Sequence, residues 1–205
     1  MSLTRSIGVV LFEGFELLDV FGPLEMFGMF SDEFDICIVA EKAGDVASGQ
    51  GPRTVVEHRF SDGHQYDILL VPGGSGTRRE VNNRVTLDWL RAQANAAEYF
   101  TSVCTGSALL VKAGLLDGIR ATTNKMAFHW ATSQGPNVLW EKQARWVEDG
   151  KFFTSSGVSA GMDMSLALME KLLGSEVAEQ AATWAEYTRH TDSKWDPFAS
   201  VHGLV

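Results

Sequence analysis

Four short apolar runs, separated by segments with helical character, constrain the fold of this chain most strongly. They cover residues 7–12, 34–40, 66–71 and 99–103, and each is rich in branched or aromatic side chains. Runs of this length are typical of strands that are buried on both faces. Because such strands alternate here with helical segments, the sequence predicts an α/β fold with a mainly parallel sheet covered by helices on both sides.

Helices are predicted between and after these strands. The first is expected to continue to about Phe30, with Pro23 in its first turn and Asp19 in the preceding loop or at the helix start. Further helices are predicted from the turn at Cys104 to about residue 113 and over residues 83–97, 124–133, 159–173 and 176–190. Short strands are predicted for residues 53–57 and 120–123 and within residues 138–154.

The length of the chain predicts one domain. With 205 residues and a hydrophobic content of 45%, the chain is long enough to bury one sizeable core. We expect a single domain over residues 1–190. The tail, residues 191–205, contains Trp195 and Phe198 and is expected to pack on the body of the domain or on a second subunit.

The charge of the chain excludes several classes of partner. A formal net charge of -9 repels nucleic acid backbones and anionic lipid surfaces, and no cluster of Lys and Arg reverses this locally. No apolar run approaches the roughly 20 residues of a membrane helix. The first residues also lack the features of a signal peptide. The protein is therefore predicted to be cytoplasmic, with no nucleic acid or membrane partner.

The turn after the fourth apolar run carries the strongest candidate for a reactive residue. Cys104 ends that run and is followed by Thr-Gly-Ser-Ala, so it stands where a strand passes into a helix. Backbone N–H groups and the positive end of a helix dipole at such a position favour the thiolate. Cys104 is thus predicted to be a nucleophile at neutral pH, and the alternative interpretation is a buried packing residue.

Asp19 is the candidate general acid for this cysteine. It follows the first strand, and ligands of parallel sheets bind beyond the carboxyl ends of the strands. A carboxyl group that is buried beside a thiolate is pushed toward its protonated form, as a general acid requires. From spacing alone, a helix cap is an equally good interpretation of Asp19. Glu13 and Glu16 are nearby alternatives that are more typical of solvated surface carboxylates.

The other cysteine and the histidines are weaker candidates. Cys37 lies in the apolar run 34–40 and is predicted to be a small buried core residue. His129 is a candidate partner for Cys104, although a histidine between two aromatic residues on a helix is more typical of a packed side chain. Three further polar residues have a spacing that matches no tight metal-binding motif, and they are predicted to be solvent-exposed. They are His58, Asp62 and His64.

Five short motifs follow one another along the chain: residues 18–23 (LDVFGP), 71–76 (VPGGSG), 101–106 (TSVCTG), 120–123 (RATT) and 156–163 (SGVSAGMD). In this order they resemble the ThiJ/PfpI superfamily. Within it, Cys-Thr-Gly after the strand and Leu-Asp-x-x-Gly-Pro near the N-terminus are most similar to the isonitrile hydratase branch and to the amidase-like domains of some transcription regulators. Proteases and glyoxalases of the superfamily usually carry a histidine directly after the cysteine, and Thr105 occupies that place here.

The resemblance implies both a fold and a site. The fold is a flavodoxin-like three-layer sandwich, similar to class I glutamine amidotransferases, with a nucleophile elbow and usually a homodimeric assembly. Carried over to this sequence, Cys104 is the nucleophile and Asp19 its acidic partner. Thr105 supports the site through its hydroxyl or amide, and Gly73 and Gly74 supply backbone N–H groups that face it.

The resemblance also implies an activity on a small-molecule substrate. An isonitrile hydratase adds water to an isonitrile to give an N-substituted formamide, without a metal or an organic cofactor. This chain departs from the hydratase pattern at Asn124-Lys125, where the pattern has His-Trp, so Asn124 is expected to border the substrate pocket. The alternatives are another cysteine-dependent hydrolase or amidase, a glyoxalase-like enzyme, and a redox or ligand sensor that uses Cys104.

Overall fold

A computed structural model describes residues 4–205 and places a seven-stranded sheet between two layers of helices. The strands are β1 (Arg5–Leu11), β2 (Phe34–Ala40), β3 (Gly44–Ala47), β4 (Arg53–Val56), β5 (His58–Arg59), β6 (Ile68–Val71), β7 (Tyr99–Ser102), β8 (Arg120–Ala121), β9 (Leu139–Trp140), β10 (Trp146–Asp149) and β11 (Phe152–Ser155). The helices are α1 (Leu17–Gly28), α2 (Thr77–Glu80), α3 (Arg84–Gln93), α4 (Ser107–Lys112), α5 (Phe128–Ser133), α6 (Ala160–Leu173), α7 (Ser175–Trp184) and α8 (Phe198–Val201).

The sheet is parallel apart from one edge. Its strand order is β10-β11-β7-β6-β1-β2-β5, and only β10 and β11 pair in antiparallel orientation. The order reverses between β1 and β6, because β2 lies on one side of β1 whereas β6 and β7 lie on the other. In parallel sheets a ligand crevice forms beyond the carboxyl ends of the strands at such a reversal. The predicted α/β class and mainly parallel sheet are confirmed.

The central strands are apolar because helices cover both faces of the sheet. All four residues of β6 are buried, and Ile7 of β1 lies opposite Ile36 of β2 and Ile68 of β6. Helices α1, α6 and α7 contact one another in one layer, and α3 and α4 contact each other in a second. No helix among residues 4–205 has the length and apolar character needed to cross a bilayer.

Helix α1 begins earlier than the sequence suggests. It starts at Leu17, so the expectation that Pro23 lies in its first turn is wrong, and Asp19 occupies the first turn instead. Pro23 stands inside the helix, where it removes one backbone hydrogen bond to the carbonyl of Asp19. The burial of Val20 and Phe27 on the same helix offsets this cost, because tertiary packing contributes more than local propensity.

Three other helices are shorter than predicted, and α3 ends at Gln93 rather than at residue 97. Helix α7 ends at Trp184, and the following chain instead satisfies the buried Asp163, whose Oδ1 accepts from Tyr187 Oη (3.0 Å) and His190 N (2.8 Å). Helix α5 begins only at Phe128. Short strand-like pieces are also expected across residues 44–59 without resolved bounds, and β3, β4 and the edge strand β5 lie there, whereas the pairing of β8 with β9 was not predicted.

The tail, residues 191–205, contacts the body of the same chain. Ser193 O accepts from Arg145 N at 2.8 Å, and Asp196 N donates to Gln143 O at 2.7 Å. The tail also buries Ala199 and Leu204 in a small cluster with Phe128. These contacts bring α8 beside the loop that precedes α5.

Candidate active site

Cys104 stands on a strained turn between β7 and α4. Its φ of 57° lies in the left-handed region, which non-glycine residues rarely adopt. The Cys104 N–H donates to Ser156 O at 2.9 Å, so the turn is tied to the chain that follows β11. The neighbouring Gly106 permits this geometry, since a Cβ there would lie 2.1 Å from Val71 O. The turn therefore fixes the direction in which the sulfur points.

Burial opposes a thiolate at Cys104. The residue is only 6% exposed, and burial, followed by the nearby Asp19, raises the pKa of the thiol above its ordinary value. A 3-10 turn over Cys104–Gly106 leads into helix α4, which is only six residues long, so the helix dipole at the cysteine is weak. These effects favour the thiol form of Cys104 at rest, and the nucleophile expected from the turn stays a prediction.

Three donors nevertheless face the sulfur and stabilise negative charge on it. The Thr105 N–H, the Asn124 side chain and the Thr105 hydroxyl each lower the pKa of Cys104, although burial outweighs them. These three donors can therefore stabilise the thiolate that forms when the sulfur loses its proton. The site is thus arranged to support the charged nucleophile during a reaction rather than at rest.

Asp19 is buried beside this thiol. Its Oδ2 accepts from Gly73 N at 2.8 Å, whereas Oδ1 has no hydrogen-bond partner of standard geometry among the described residues. Burial raises the pKa of Asp19 to about 8, with a smaller contribution from Glu16, and the contacts with Gly73 and Cys104 oppose the rise. Asp19 is therefore protonated at neutral pH. Because Oδ2 already accepts a hydrogen bond, we assign the proton to Oδ1.

The glycines after β6 face the site with their N–H groups. The Gly73 N–H donates to Asp19 Oδ2 at 2.8 Å, and the Gly74 N–H donates to Thr105 Oγ1 at 3.2 Å. Both amides thus position residues of the site, and a role of Gly73 and Gly74 in substrate binding stays a prediction. Gly73 also allows a close approach, because a Cβ there would lie 2.6 Å from Thr105 N and 2.9 Å from Asp19 Oδ2.

Asn124 borders the site, and its amide orientation is fixed. Its Oδ1 accepts from Ala127 N at 2.8 Å, which leaves Nδ2 to face Cys104. A Cβ on Gly157 would lie 2.5 Å from Asn124 Nδ2, so the glycine makes room for the amide. Lys125 turns away and is buried, with Nζ 2.7 Å from Thr122 Oγ1, and burial lowers its pKa to about 8.

A cavity of about 350 Å³ opens beside Cys104. Asn124, Met126 and Val158 line it and also line an adjoining cavity of about 250 Å³, whose far wall contains the tail residue Phe198. A larger cavity of about 520 Å³ lies at the ends of β1 and β2 and contains neither Cys104 nor Asp19. We call the cavity of about 350 Å³ the reactive cavity, because it contains Cys104 although it is not the largest of the three.

Several sequence candidates lie outside this cavity. His129 is exposed on α5, so neither a partnership with Cys104 nor a packed side chain is found, and none of the histidines lines the reactive cavity. Cys37 is partly exposed rather than buried, because the edge of the sheet beyond β2 is covered only by the short β5. Glu13 is exposed, whereas Glu16 lines the reactive cavity.

The structure brings His58, Asp62 and His64 together at the edge of the sheet. Their potential ligand atoms lie within 4.8 Å of one another. Both oxygens of Asp62, however, already accept from Arg59, at 2.8 Å from its backbone N and 3.1 Å from Nε. Asp62 and His64 are exposed as predicted, and His58 is half-buried.

Sequence reasoning missed Arg78 and Trp130. Arg78 lines the reactive cavity, and its guanidinium lies 3.5 Å from the centroid of the Trp130 ring. Its Nη1 donates to Thr77 Oγ1 at 3.0 Å, and that hydroxyl lies 3.1 Å from Thr105 Oγ1. A sequence signal existed for Arg78, because Thr77 and Arg78 directly follow the glycine-rich loop at the carboxyl end of a central strand.

Comparison with known proteins identifies the family. Residues 5–171 match the DJ-1/PfpI family. This chain belongs to the DJ-1/PfpI family. A curated relative, the isonitrile hydratase of Pseudomonas putida, is 37% identical over 187 residues, which cover 90% of this chain and 79% of the relative. The family assignment and the predicted resemblance are thereby confirmed.

Other DJ-1/PfpI relatives have different names. The HTH-type transcriptional regulator GbdR of Pseudomonas aeruginosa is 28% identical over 190 residues, and the match covers 90% of this chain but only 51% of the regulator. Among solved structures, a ThiJ/PfpI family protein from Pseudomonas syringae superposes with a TM-score of 0.85 at 30% identity, covering 99% of this chain and 85% of that one. The family therefore includes both enzymes and regulators.

Removing the amide donor from Cys104 should slow its alkylation. Asn124→Ala deletes Nδ2 and Gly157→Ala displaces it, so both should raise the pKa of the thiol further and lower the iodoacetamide rate by about 3- to 10-fold at a fixed pH. Intact-protein mass spectrometry over a pH series measures the rate, with Cys37 as an internal reference. Asn137→Ala, at an exposed position, should change nothing. Equal rates in all variants would show that Asn124 does not act on the sulfur.

Replacing Asp19 with asparagine should stabilise the protein most at alkaline pH. The pKa of Asp19 rises from 3.8 to about 8 on folding, so its contribution to stability is fully present below pH 3.8 and is lost as the pH approaches 8. Asparagine avoids this loss. Urea unfolding at about pH 5, 7 and 9 should show the stability of Asp19→Asn over wild type growing with pH by more than about 1 kcal/mol. The exposed Asp32→Asn is the control, and a pH-independent difference would contradict the assignment.

Proposed function

We propose that this protein is a cysteine-dependent enzyme that adds water to an isonitrile to give an N-substituted formamide. One observation carries the proposal: a buried, protonated Asp19, whose Oδ1 has no hydrogen bond of standard geometry within residues 4–205, lies next to Cys104 on its strained turn. The terminal carbon of an isonitrile must gain both a proton and a nucleophile, and these two residues supply one each. The 37% identity to a curated isonitrile hydratase supports the same conclusion.

The first half of the reaction joins the sulfur to the substrate. Asp19 donates its Oδ1 proton to the terminal carbon of R–N≡C, and Cys104 Sγ forms a bond to the same carbon while the thiol proton passes to Asp19. The product is a thioimidate, R–N=CH–S–Cys104, and Asp19 is again protonated. Negative charge on the sulfur during this step is stabilised by the Thr105 N–H and the Asn124 amide.

The second half consumes water and frees the enzyme. Water attacks the thioimidate carbon, its oxygen becomes the formyl oxygen, and one of its protons goes to the substrate nitrogen. The C–S bond then breaks, and the remaining proton returns to Cys104 Sγ. The sum is R–N≡C plus water to R–NH–CHO, with Cys104 and Asp19 restored. Every proton moved passes between the substrate, water, Cys104 and Asp19.

The resting thiol fits this reaction better than it fits amide hydrolysis. A cysteine amidase benefits from a preformed thiolate and from a base such as histidine. Here the pKa of Cys104 is raised, and no histidine lines its cavity. A substrate whose carbon accepts a proton can use an acid together with a thiol, so the site favours an isonitrile over an amide.

Turnover of a simple alkyl isonitrile tests the proposal. Wild type should convert cyclohexyl isonitrile to N-cyclohexylformamide, detected by mass spectrometry. Cys104→Ala should lower kcat/KM by at least about 10³-fold and Asp19→Asn by about 10²- to 10⁴-fold. Cys37→Ala, at the partly exposed cysteine, should retain wild-type activity.

The same assay separates the alternatives. An inert wild type across neutral and charged isonitriles, or full activity in Cys104→Ala, would overturn the proposal. Amides and α-oxoaldehydes are run in parallel, because turnover of either in place of isonitriles would assign a different cysteine-dependent reaction. Peroxide oxidation of Cys104, measured against Cys37, tests the sensor alternative.

We also propose that the protein acts as a homodimer. Helix α1 exposes Leu18 (41%) and Phe21 (42%) on the turns that surround the buried Asp19. Exposed apolar side chains that lie together favour association with a second copy. Light scattering should give twice the mass of 22.4 kDa, and the double substitution Leu18→Glu and Phe21→Glu should give the monomer mass. A monomeric wild type at micromolar concentration would contradict this assembly.

A further inference from the structure

The reactive cavity contains one cationic side chain, and its position is fixed. Arg78 follows the glycine-rich loop and lines the cavity together with Cys104. Its guanidinium lies 3.5 Å from the centroid of the Trp130 ring, and Nη1 donates to Thr77 Oγ1 at 3.0 Å. Stacking on an aromatic ring and a hydrogen bond on one nitrogen hold the planar group in place at low entropic cost.

Arg78 has no counter-ion in the part of the chain that the structure describes. Eight of the ten arginines form ion pairs in the structure, whereas among residues 4–205 no carboxylate oxygen lies within 4.0 Å of Arg78 or Arg84. This is unusual in a chain with 26 acidic and 17 basic residues. Arg84 is remote from the cavity, so Arg78 alone combines an unpaired charge with a place beside the reactive cysteine.

The guanidinium retains donors for a ligand. Of its nitrogens, Nε and Nη2 have no hydrogen-bond partner among the described residues, and the N–H groups of a guanidinium match the two oxygens of a carboxylate. Glu16 lines the same cavity, but its Oε1 accepts from Gln50 Nε2 at 2.6 Å. The negative charge of Glu16 repels an anion from its side and leaves Arg78 as the place where one binds.

The rest of the cavity lining suits a substrate with a short apolar chain between its reactive carbon and its charged group. Met126, Ala127 and Val158 present aliphatic surface between Cys104 and the outside of a cavity of about 350 Å³. A volume of this size is near the lower limit of small-molecule sites. It therefore fits a compound of amino-acid size whose reactive carbon reaches Cys104 and whose anionic group remains at Arg78.

We propose that Arg78 is a specificity-determining residue that binds a carboxylate of the substrate, so that the preferred substrates are isonitriles bearing a carboxylate on a short aliphatic chain. The choice of an isonitrile rests on the proposed function, whereas the carboxylate site rests on Arg78 itself. Charge on Arg78 also favours a developing thiolate at Cys104. The experiment must therefore separate anion binding from an effect on the sulfur.

A matched pair of substrates makes this separation. The potassium salt of a short isocyano carboxylic acid is compared with its methyl ester, which has the same reactive carbon and no charge. Wild type should prefer the carboxylate in kcat/KM by at least about 10-fold. Arg78→Gln should reduce kcat/KM for the carboxylate at least about 10 times more than for the ester, mainly through KM. Arg78→Lys should restore part of the preference, and Arg84→Gln should match wild type.

A binding measurement keeps the inference testable without turnover. The N-formyl amino acid that corresponds to the product should protect Cys104 from iodoacetamide in wild type and Arg84→Gln, but not in Arg78→Gln, and its methyl ester should protect none of them well. Such protection without any isonitrile turnover would support the anion site while overturning the proposed function. Turnover without a preference for the carboxylate, or an equal loss on both substrates in Arg78→Gln, would overturn the role of Arg78 while leaving the proposed function intact.

Discussion

The hydrogen bond from Gly73 N to Asp19 Oδ2 is the interaction on which the rest of the site depends. It joins helix α1, which follows β1, to the loop after β6, and so closes the crevice where the strand order reverses. It satisfies one oxygen of a fully buried carboxyl group, and the other oxygen, beside Cys104, has no hydrogen bond of standard geometry to any described residue. A single backbone donor thus fixes the position of Asp19 without stabilising its charge enough to ionise it.

Burial sets the protonation states of the site, in opposition to the local donors. Asp19 and Cys104 lie side by side with little solvent, and desolvation raises the pKa of both groups. A charge on Asp19 further raises the pKa of Cys104, whereas the contact with Cys104 lowers the pKa of Asp19. Hydrogen bonds from Gly73, Thr105 and Asn124 act in the opposite direction but do not prevail. Burial therefore favours the protonated forms of both groups at rest, which is the arrangement that the proposed reaction uses.

Sequence reasoning predicted the elements whose periodicity reflects burial. The four apolar runs lie in β1, β2, β6 and β7, and the Cys104 turn lies between strand and helix as expected. Pro23 was misplaced, since its local preference for a helix start yields to the packing of α1. A buried polar residue such as Asp163, which redirects the chain after α7, leaves no periodic signal.

The same limits apply to the site. Asp19 and Cys104, with Thr105, follow the ends of β1 and β7 at one edge of the seven-stranded sheet, so their proximity could be predicted from topology and motif. Asn124 follows β8 of a separate two-stranded sheet, so only the resemblance placed it at the pocket. The protonation of Cys104 could not, because it depends on how much water the finished fold excludes. Arg78 was missed because its guanidinium is positioned by Trp130, which lies 52 positions later in the chain, and no local sequence pattern connects the two residues.

The two adjoining cavities are separated by side chains, and the parts of the chain that bound them are held in different ways. Cys104 and Asp19 are held by hydrogen bonds with backbone groups near the strand ends. The partition is made partly by Met126, which is 77% exposed and flexible, and the far wall is supplied by Phe198 in the tail. Changes in the tail can therefore lengthen or shorten the accessible space without moving the reacting groups, so relatives with the same chemistry can diverge in substrate size.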